Sequence, residues 1–197
     1  VDDSGSMSEE QNSLATNFSS FIDSATSLDT DYHIGVITTD VESDQAGRLY
    51  ACNGNPLWIT DAQPVAEQRS QFQCNVKTTD SGRPSSDSKE APLQAARKAL
   101  DYPNIDGFND GFYRDDAKLY VILVTDEEDQ SDGTPQLYVD FFRNLKGIGN
   151  PDLLNISAIA VTKSHRLTAS DKGSMTYHGR ATGAFFSRRA AALKNSE

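Results

Sequence analysis

Carboxylates and hydroxyls crowd the opening stretch VDDSGSMSEEQ, where Asp2, Asp3, Ser4, Ser6, Ser8, Glu9 and Glu10 surround a single Gly5. Such a stretch is either a disordered polar end or a loop built to hold a hard cation. Mg2+ and Ca2+ take oxygen ligands, and Mg2+ keeps several waters because it dehydrates reluctantly. The Asp-x-Ser-x-Ser spacing of Asp2, Ser4 and Ser6 lets one tight loop aim three oxygens inward, and Gly5 is expected to permit a bend that a Cβ would hinder. A second acidic run, Asp126, Glu127, Glu128 and Asp129, follows the apolar LYVILVT directly. A third polar stretch, KTTDSGRPSSDSK, precedes EAPLQAARKAL and has the length of loops that are functional or mobile.

The elements that must position these residues show as alternating patterns. In SEEQNSLATNFSSFIDSATSL, Leu14, Phe18, Phe21, Ile22 and Ala25 fall at helical spacing, with Ser8 as the expected N-cap. YHIGVITTD, LYVILVTDEED and NISAIAVT are runs apolar at consecutive positions, the pattern of strands covered on both faces. EAPLQAARKAL predicts a helix with Leu93, Ala96, Ala99 and Leu100 inward, and TPQLYVDFFRNLKG a second one stopping at Gly147. GRLYAC and PLWIT are expected to add an edge hairpin, and GAFFS a last short strand before RRAAALKN. The order strand, helix, strand, helix predicts an α/β fold: one domain over residues 1–197, with an open, mostly parallel, doubly wound sheet and helices on both faces. Ligands of such sheets gather at the carboxyl ends of the strands, which is where the three polar stretches arrive. Only Val1 remains of the strand expected before Asp2, so the first strand is read as largely truncated and the chain as a fragment.

The net charge of −11 disfavours binding to nucleic acid or anionic lipid and makes cations the natural partners. No apolar run approaches the roughly 20 residues of a membrane helix, so no direct membrane insertion is expected. Cys52 and Cys74 lie in one Gly/Asn/Pro/Gln-rich segment without a His or third Cys at zinc spacing. They are expected to form a disulfide, the alternative being two separate thiols. A disulfide implies export.

Asp-x-Ser-Gly-Ser at Asp2, Ser4 and Ser6, followed by an amphipathic helix, together with an apolar strand ending in Asp126, resembles the metal-ion-dependent adhesion site of von Willebrand factor type A domains, the fold shared with integrin I domains. The resemblance covers nearly the whole chain and is greatest to the A domains of bacterial exported lipoproteins and surface proteins. It implies that Ser4 and Ser6 bind a divalent cation, Mg2+ or Ca2+ with Mn2+ as a substitute, while Asp2 and Asp126 hold its waters. The family's Thr is missing. Glu90 stands at that position, with Ser85, Ser86 and Ser88 nearby, and is either a metal ligand or an acid facing the helix dipole. Glu9 and Glu10 match a second ion site of integrin β subunits or are first-turn acids. Glu127, Glu128 and Asp129 form a solvated rim or lend a Ca2+ ligand. Asp40, with Thr38 or Thr39, supports the site or caps a turn.

These expectations describe a non-enzymatic module on or outside a bacterial cell, at the cell surface, as an outer-membrane lipoprotein or secreted, that holds a protein or glycan ligand through its metal. Two other classes stand beside it: a structural domain whose ion stiffens three loops, and a metal-dependent hydrolase using a carboxylate such as Glu127 to activate water. No GxSxG, HExxH or P-loop motif supports the hydrolase. NIDGFNDGF lacks the acidic alternation of an EF-hand and reads as a turn, and His33, His165 and His178 are scattered structural or surface residues.

Overall fold

The computed structural model describes residues 1–78, 89–147 and 149–160. Ser85, Ser86, Ser88, His165, His178, GAFFS and RRAAALKN lie outside them. The chain divides into a unit Val1–Ala160 and a unit Val161–Glu197, and every described residue belongs to the first. That unit mixes helices and strands: α1 (Ser8–Ser27), β1 (His33–Gly35), β2 (Trp58–Thr60), α2 (Val65–Asn75), α3 (Pro92–Ala99), β3 (Leu119–Thr125), α4 (Pro135–Leu145) and β4 (Leu154–Ala160).

β3 and β4 pair in parallel, from Leu119 beside Leu154 to Thr125 beside Ala160, with α4 as the crossover between them. α3 and α4 cover one face of this pair. Ala96, Ala99, Leu100, Tyr138 and Phe142 form the buried cluster there, against Leu119, Val121 and Leu123. The opposite face does not follow the two-sided expectation, since Tyr120 and Ile122 are 59% and 55% exposed. The helix stop at Gly147 holds: its φ of 83° is the left-handed conformation that Gly adopts without the Cβ penalty.

The second run, YHIGVITTD, departs further from the parallel pattern. Only His33–Gly35 is strand, and it runs antiparallel to Trp58–Thr60. PLWIT therefore supplies a strand, but GRLYAC is not its hairpin partner. The two strand pairs form two small sheets, and no extended doubly wound sheet is present among the described residues. The chain's first two residues join both regions: the Val1 amino group donates to Ile37 O at 2.9 Å and Asp2 N to Val124 O at 2.8 Å.

Helix α1 buries Ala15, Phe18, Ile22 and Ala25, with Phe18 stacked on Phe72 of α2. Phe21 turns outward and is 37% exposed. Ser8 is the first residue of the helix rather than its cap, because a 3-10 turn at Gly5–Met7 leads into it. Helix α2 shows no apolar stripe, and its inner face is amide-rich. Gln68, Gln71 and Asn75 are buried with Phe72; hydrogen bonds offset the desolvation of the two glutamines and of Asn75 Oδ1, while Asn75 Nδ2 is buried without a partner. Tyr32 Oη donates to Gln68 Oε1, Gln71 Nε2 donates to Pro56 O at 2.7 Å, and Cys52 N donates to Asn75 Oδ1 at 3.0 Å. Cys52 and Cys74 are disulfide-bonded, with Cα atoms 5.9 Å apart, fastening α2 to the turn before β2. NIDGFNDGF is a turn: Asn109 is buried and binds Leu49 N, Gly47 O and Ala99 O. His33 has a structural setting, with Nδ1 2.9 Å from Phe112 O and its ring beside Trp58.

Candidate metal centre

Three carboxylates from three separate loops converge where β3 ends. One oxygen each of Asp2, Glu90 and Asp126 lies within 4.8 Å of the others, and this is the only such acidic, His or Cys group among the described residues. Asp2 arrives from the loop ahead of α1 and is fully buried. Its backbone is pinned on both sides, by its own N–H to Val124 O and by Gln11 Nε2 donating to its carbonyl at 2.8 Å. Asp126 follows the last residue of β3. Glu90 precedes Ala91, the N-cap of α3, so it is not an acid of that helix's first turn. Gln130 N donates to Glu90 O at 2.8 Å, and Ala91 N donates to Thr39 O at 3.4 Å, fixing the backbone on which Glu90 turns inward.

Thr125, unmarked in the sequence, joins the group. Its hydroxyl is 2.9 Å from Asp2 Oδ2 and 3.3 Å from Glu90 Oε2, and it accepts from Glu127 N at 3.2 Å. No local signal marks it: the hydroxyl finds these partners because the fold bonds Asp2 N to Val124 O and brings Glu90 to the end of β3. Gln11 was likewise missed, its amide spanning Asp2 O and Thr78 Oγ1.

Electrostatics within the cluster are those of acids forced together. Burial, a proton shared with Asp2, and the charges of Asp2 and Glu127 push Glu90 up from 4.5 to about 8. Burial alone would raise Asp2 too, but the bonds it receives from Glu90, Ser4 and Thr125 outweigh that and hold it below its usual value. Without an ion, Glu90 is thus the carboxyl of the pair that holds a proton more readily.

The expected serines lie beside this group. Ser4 N donates to Asp2 Oδ1 at 2.8 Å, and Ser4 Oγ is 2.9 Å from Ser6 Oγ. Gly5 is not needed for a bend, since its φ is unexceptional and a Cβ there would meet nothing within 4 Å. The donor set, carboxylates and hydroxyls with no nitrogen or sulfur, suits a hard divalent cation. Asp126 Oδ1 is closed off from solvent and has no hydrogen-bond partner, which a cation would supply.

Other expected acids do not join the cluster. Glu9 and Glu10 sit in the first turn of α1, where they favour the helix dipole. Asp40 caps a turn: its Oδ1 accepts from Glu42 N at 2.9 Å and Ser43 N at 3.1 Å, and its Oδ2 accepts from Ser43 Oγ. Thr39 instead donates to Asp3 at 3.4 Å. Asp129 accepts from Leu93 N at 3.4 Å and from Ser131 Oγ at 2.7 Å, tying the β3–α4 loop to the start of α3. Glu127 and Glu128 are exposed. No helix of the described residues is long and apolar enough to cross a membrane. Compared with protein-family models, with curated proteins and with solved structures, the chain matches none of them.

Proposed function

We propose that the chain is a von Willebrand factor A-like binding module that holds one divalent cation, Mg2+ or Ca2+ with Mn2+ as a substitute, and through it a protein or glycan ligand outside a bacterial cell. The observation that carries this reading is the meeting of Asp2, Glu90 and Asp126 from three loops, with Asp126 Oδ1 buried and unpartnered. The sequence order supports it: Asp-x-Ser-Gly-Ser leads into an amphipathic helix and Asp126 ends an apolar strand. In this proposal β3 and β4 are two members of a larger doubly wound sheet whose carboxyl edge bears the site. Export is supported by the Cys52–Cys74 disulfide, a bond that persists in oxidising compartments.

Asp2, Ser4, Ser6, Glu90 and Asp126 would hold the ion, which would supply a fixed positive charge and a position for a ligand oxygen. The chain's own work is to orient these oxygens: Gln11 and Val124 fix the Asp2 backbone, and Thr125 aligns the Asp2 and Glu90 carboxylates. A binding role is favoured over hydrolysis because Glu127, a carboxylate beside the cluster that could activate water, is exposed and meets the cluster through its backbone N–H. Calorimetric titration with Ca2+, Mg2+ and Mn2+ tests the reading. One ion per chain is expected, with a thermal shift that follows mass action, and Asp126→Asn or the pair Ser4→Ala with Ser6→Ala should weaken it at least about tenfold, about 1.4 kcal/mol. Absence of binding at millimolar ion would remove the site.

A further inference from the structure

We propose that Glu90 determines the ligand class of this site: it makes the bound ion refuse carboxylates and accept an uncharged oxygen donor, a hydroxyl or a carbonyl. The inference rests on the metal reading above and deepens it. Its basis is a charge count on placed residues. Once a bound ion has displaced the proton from Glu90, the clustered carboxylates of Asp2, Glu90 and Asp126 bring three negative charges to one point, so a divalent cation there leaves the site near −1. With only the two aspartates it would be neutral, and a ligand carboxylate would still meet a cation whose charge is just balanced.

Glu90 is not free to swing away when an ion arrives. Its carbonyl is held by Gln130 N at 2.8 Å, the next residue's N–H is held by Thr39 O, and its own Oε2 lies 3.3 Å from Thr125 Oγ1. Nor does the cation next to it in the chain restore the balance. Lys89, the adjacent residue, spends its ammonium on Asp132 at 2.8 Å. Glu127 adds a further negative charge that already acts on Glu90. An incoming carboxylate would therefore be repelled at close range, where like charges exclude a partner more effectively than attraction selects one. A hydroxyl or carbonyl has the oxygen that a hard cation takes without the charge that the site rejects.

The test uses Mn2+ as the ion and acetate as the carboxylate probe, on the whole chain and on Glu90→Gln, which keeps the shape and removes the charge. Water-proton relaxation reports the waters that acetate displaces from bound Mn2+, and calorimetry reports the Mn2+ affinity with and without acetate. In the unaltered protein, acetate at millimolar concentration should displace no bound water and leave Mn2+ affinity unchanged after correction for acetate bound to free ion. In Glu90→Gln, Mn2+ should bind more weakly, while acetate should bind the occupied site at least about tenfold more tightly than in the unaltered protein. Glu90→Thr, with near-ultraviolet circular dichroism as the check on folding, gives a second variant should the first misfold. Acetate entering the unaltered protein overturns the inference without reference to any variant. So does identical behaviour of the unaltered and altered proteins, whether both take acetate or both refuse it. Failure of the unaltered protein to bind Mn2+ at all is a different result: it removes the metal site, and this inference with it.

Discussion

Glu90 and Thr125 govern the centre between them. In the folded, metal-free protein Glu90 keeps its proton to about pH 8, against an ordinary 4.5. The folded chain therefore binds more protons than the unfolded one across that window. The stability linked to protonated Glu90 is complete below pH 4.5 and is lost as pH rises through about 8. Asp2, held below its usual value, works the other way and loses its contribution only as pH falls through that lowered value. Metal-free protein should thus melt progressively lower from mildly acidic to mildly alkaline pH, and Glu90→Gln should flatten the profile, as scanning calorimetry at several pH values would show. Divalent ion should reverse the trend, because a ligating Glu90 must give up its proton and ion affinity then climbs with pH. Thr125→Val keeps the shape and deletes the hydroxyl that Asp2 and Glu90 share. It should cost about 1–3 kcal/mol in denaturant unfolding, the usual penalty for stranding a buried polar partner, and it should weaken ion binding in the same samples.

At the scale of elements, the centre depends on how two loops are fastened. The start of α3 is capped from outside its own sequence: Gln94 N donates to Ser131 Oγ at 2.9 Å, Leu93 N to Asp129 Oδ1, and Gln130 N to Glu90 O. This clamp sets the spacing between Glu90 and Asp126. Ser131→Ala should cost about 1 kcal/mol, as loss of a helix cap does, and should speed hydrogen exchange at the Gln94 amide while lowering ion affinity. Unchanged ion affinity would separate the clamp from the site. Helix α2 depends on a different fastening. Reduction of Cys52–Cys74, 22 residues apart, should destabilise the protein by roughly 3 kcal/mol on the loop-entropy account. Buried glutamines cannot replace that tether, because they only offset their own desolvation. Denaturant melts with and without reductant, after intact mass confirms the bond, measure the difference.

For the whole molecule the relevant quantity is the net charge of −11. Self-repulsion of this size destabilises a compact state, and it is screened over about 8–10 Å at physiological salt. Sodium chloride should therefore raise the melting temperature of metal-free protein gradually, with no saturation at one ion per chain. A specific divalent gain behaves differently: it saturates at that stoichiometry and persists in salt, because the cluster centres on fully buried Asp2. Thermal melts over a grid of NaCl and Ca2+ separate the two effects. A Ca2+ gain that disappears once NaCl has screened the surface would reduce the centre to general charge neutralisation.

Helices α1, α3 and α4 and strands β3 and β4 could be read from the chain because their apolar spacing is a local property that survives packing. The site was half-legible for the same reason: Asp2 and Asp126 stand at the ends of such patterns, and the two cysteines had no other partner. Glu90 was open in the sequence, since the same residue serves a helix dipole or a cation depending on where α3 begins, and that boundary is set by Asp129 and Ser131 some forty residues away. Thr125 gained its role only when Asp2 was brought against Val124. Helix α2 has no apolar stripe to announce it, because its buried face is amide-rich and held by hydrogen bonds whose partners, Tyr32, Pro56 and Cys52 among them, lie in other segments. The second strand run was shortened and paired antiparallel with Trp58–Thr60, a choice of neighbour that side-chain pattern does not encode. Periodicity records which face of an element is apolar. Which elements meet, and so which carboxylates share a proton or an ion, is decided by the long-range hydrogen bonds that form only when the chain is folded.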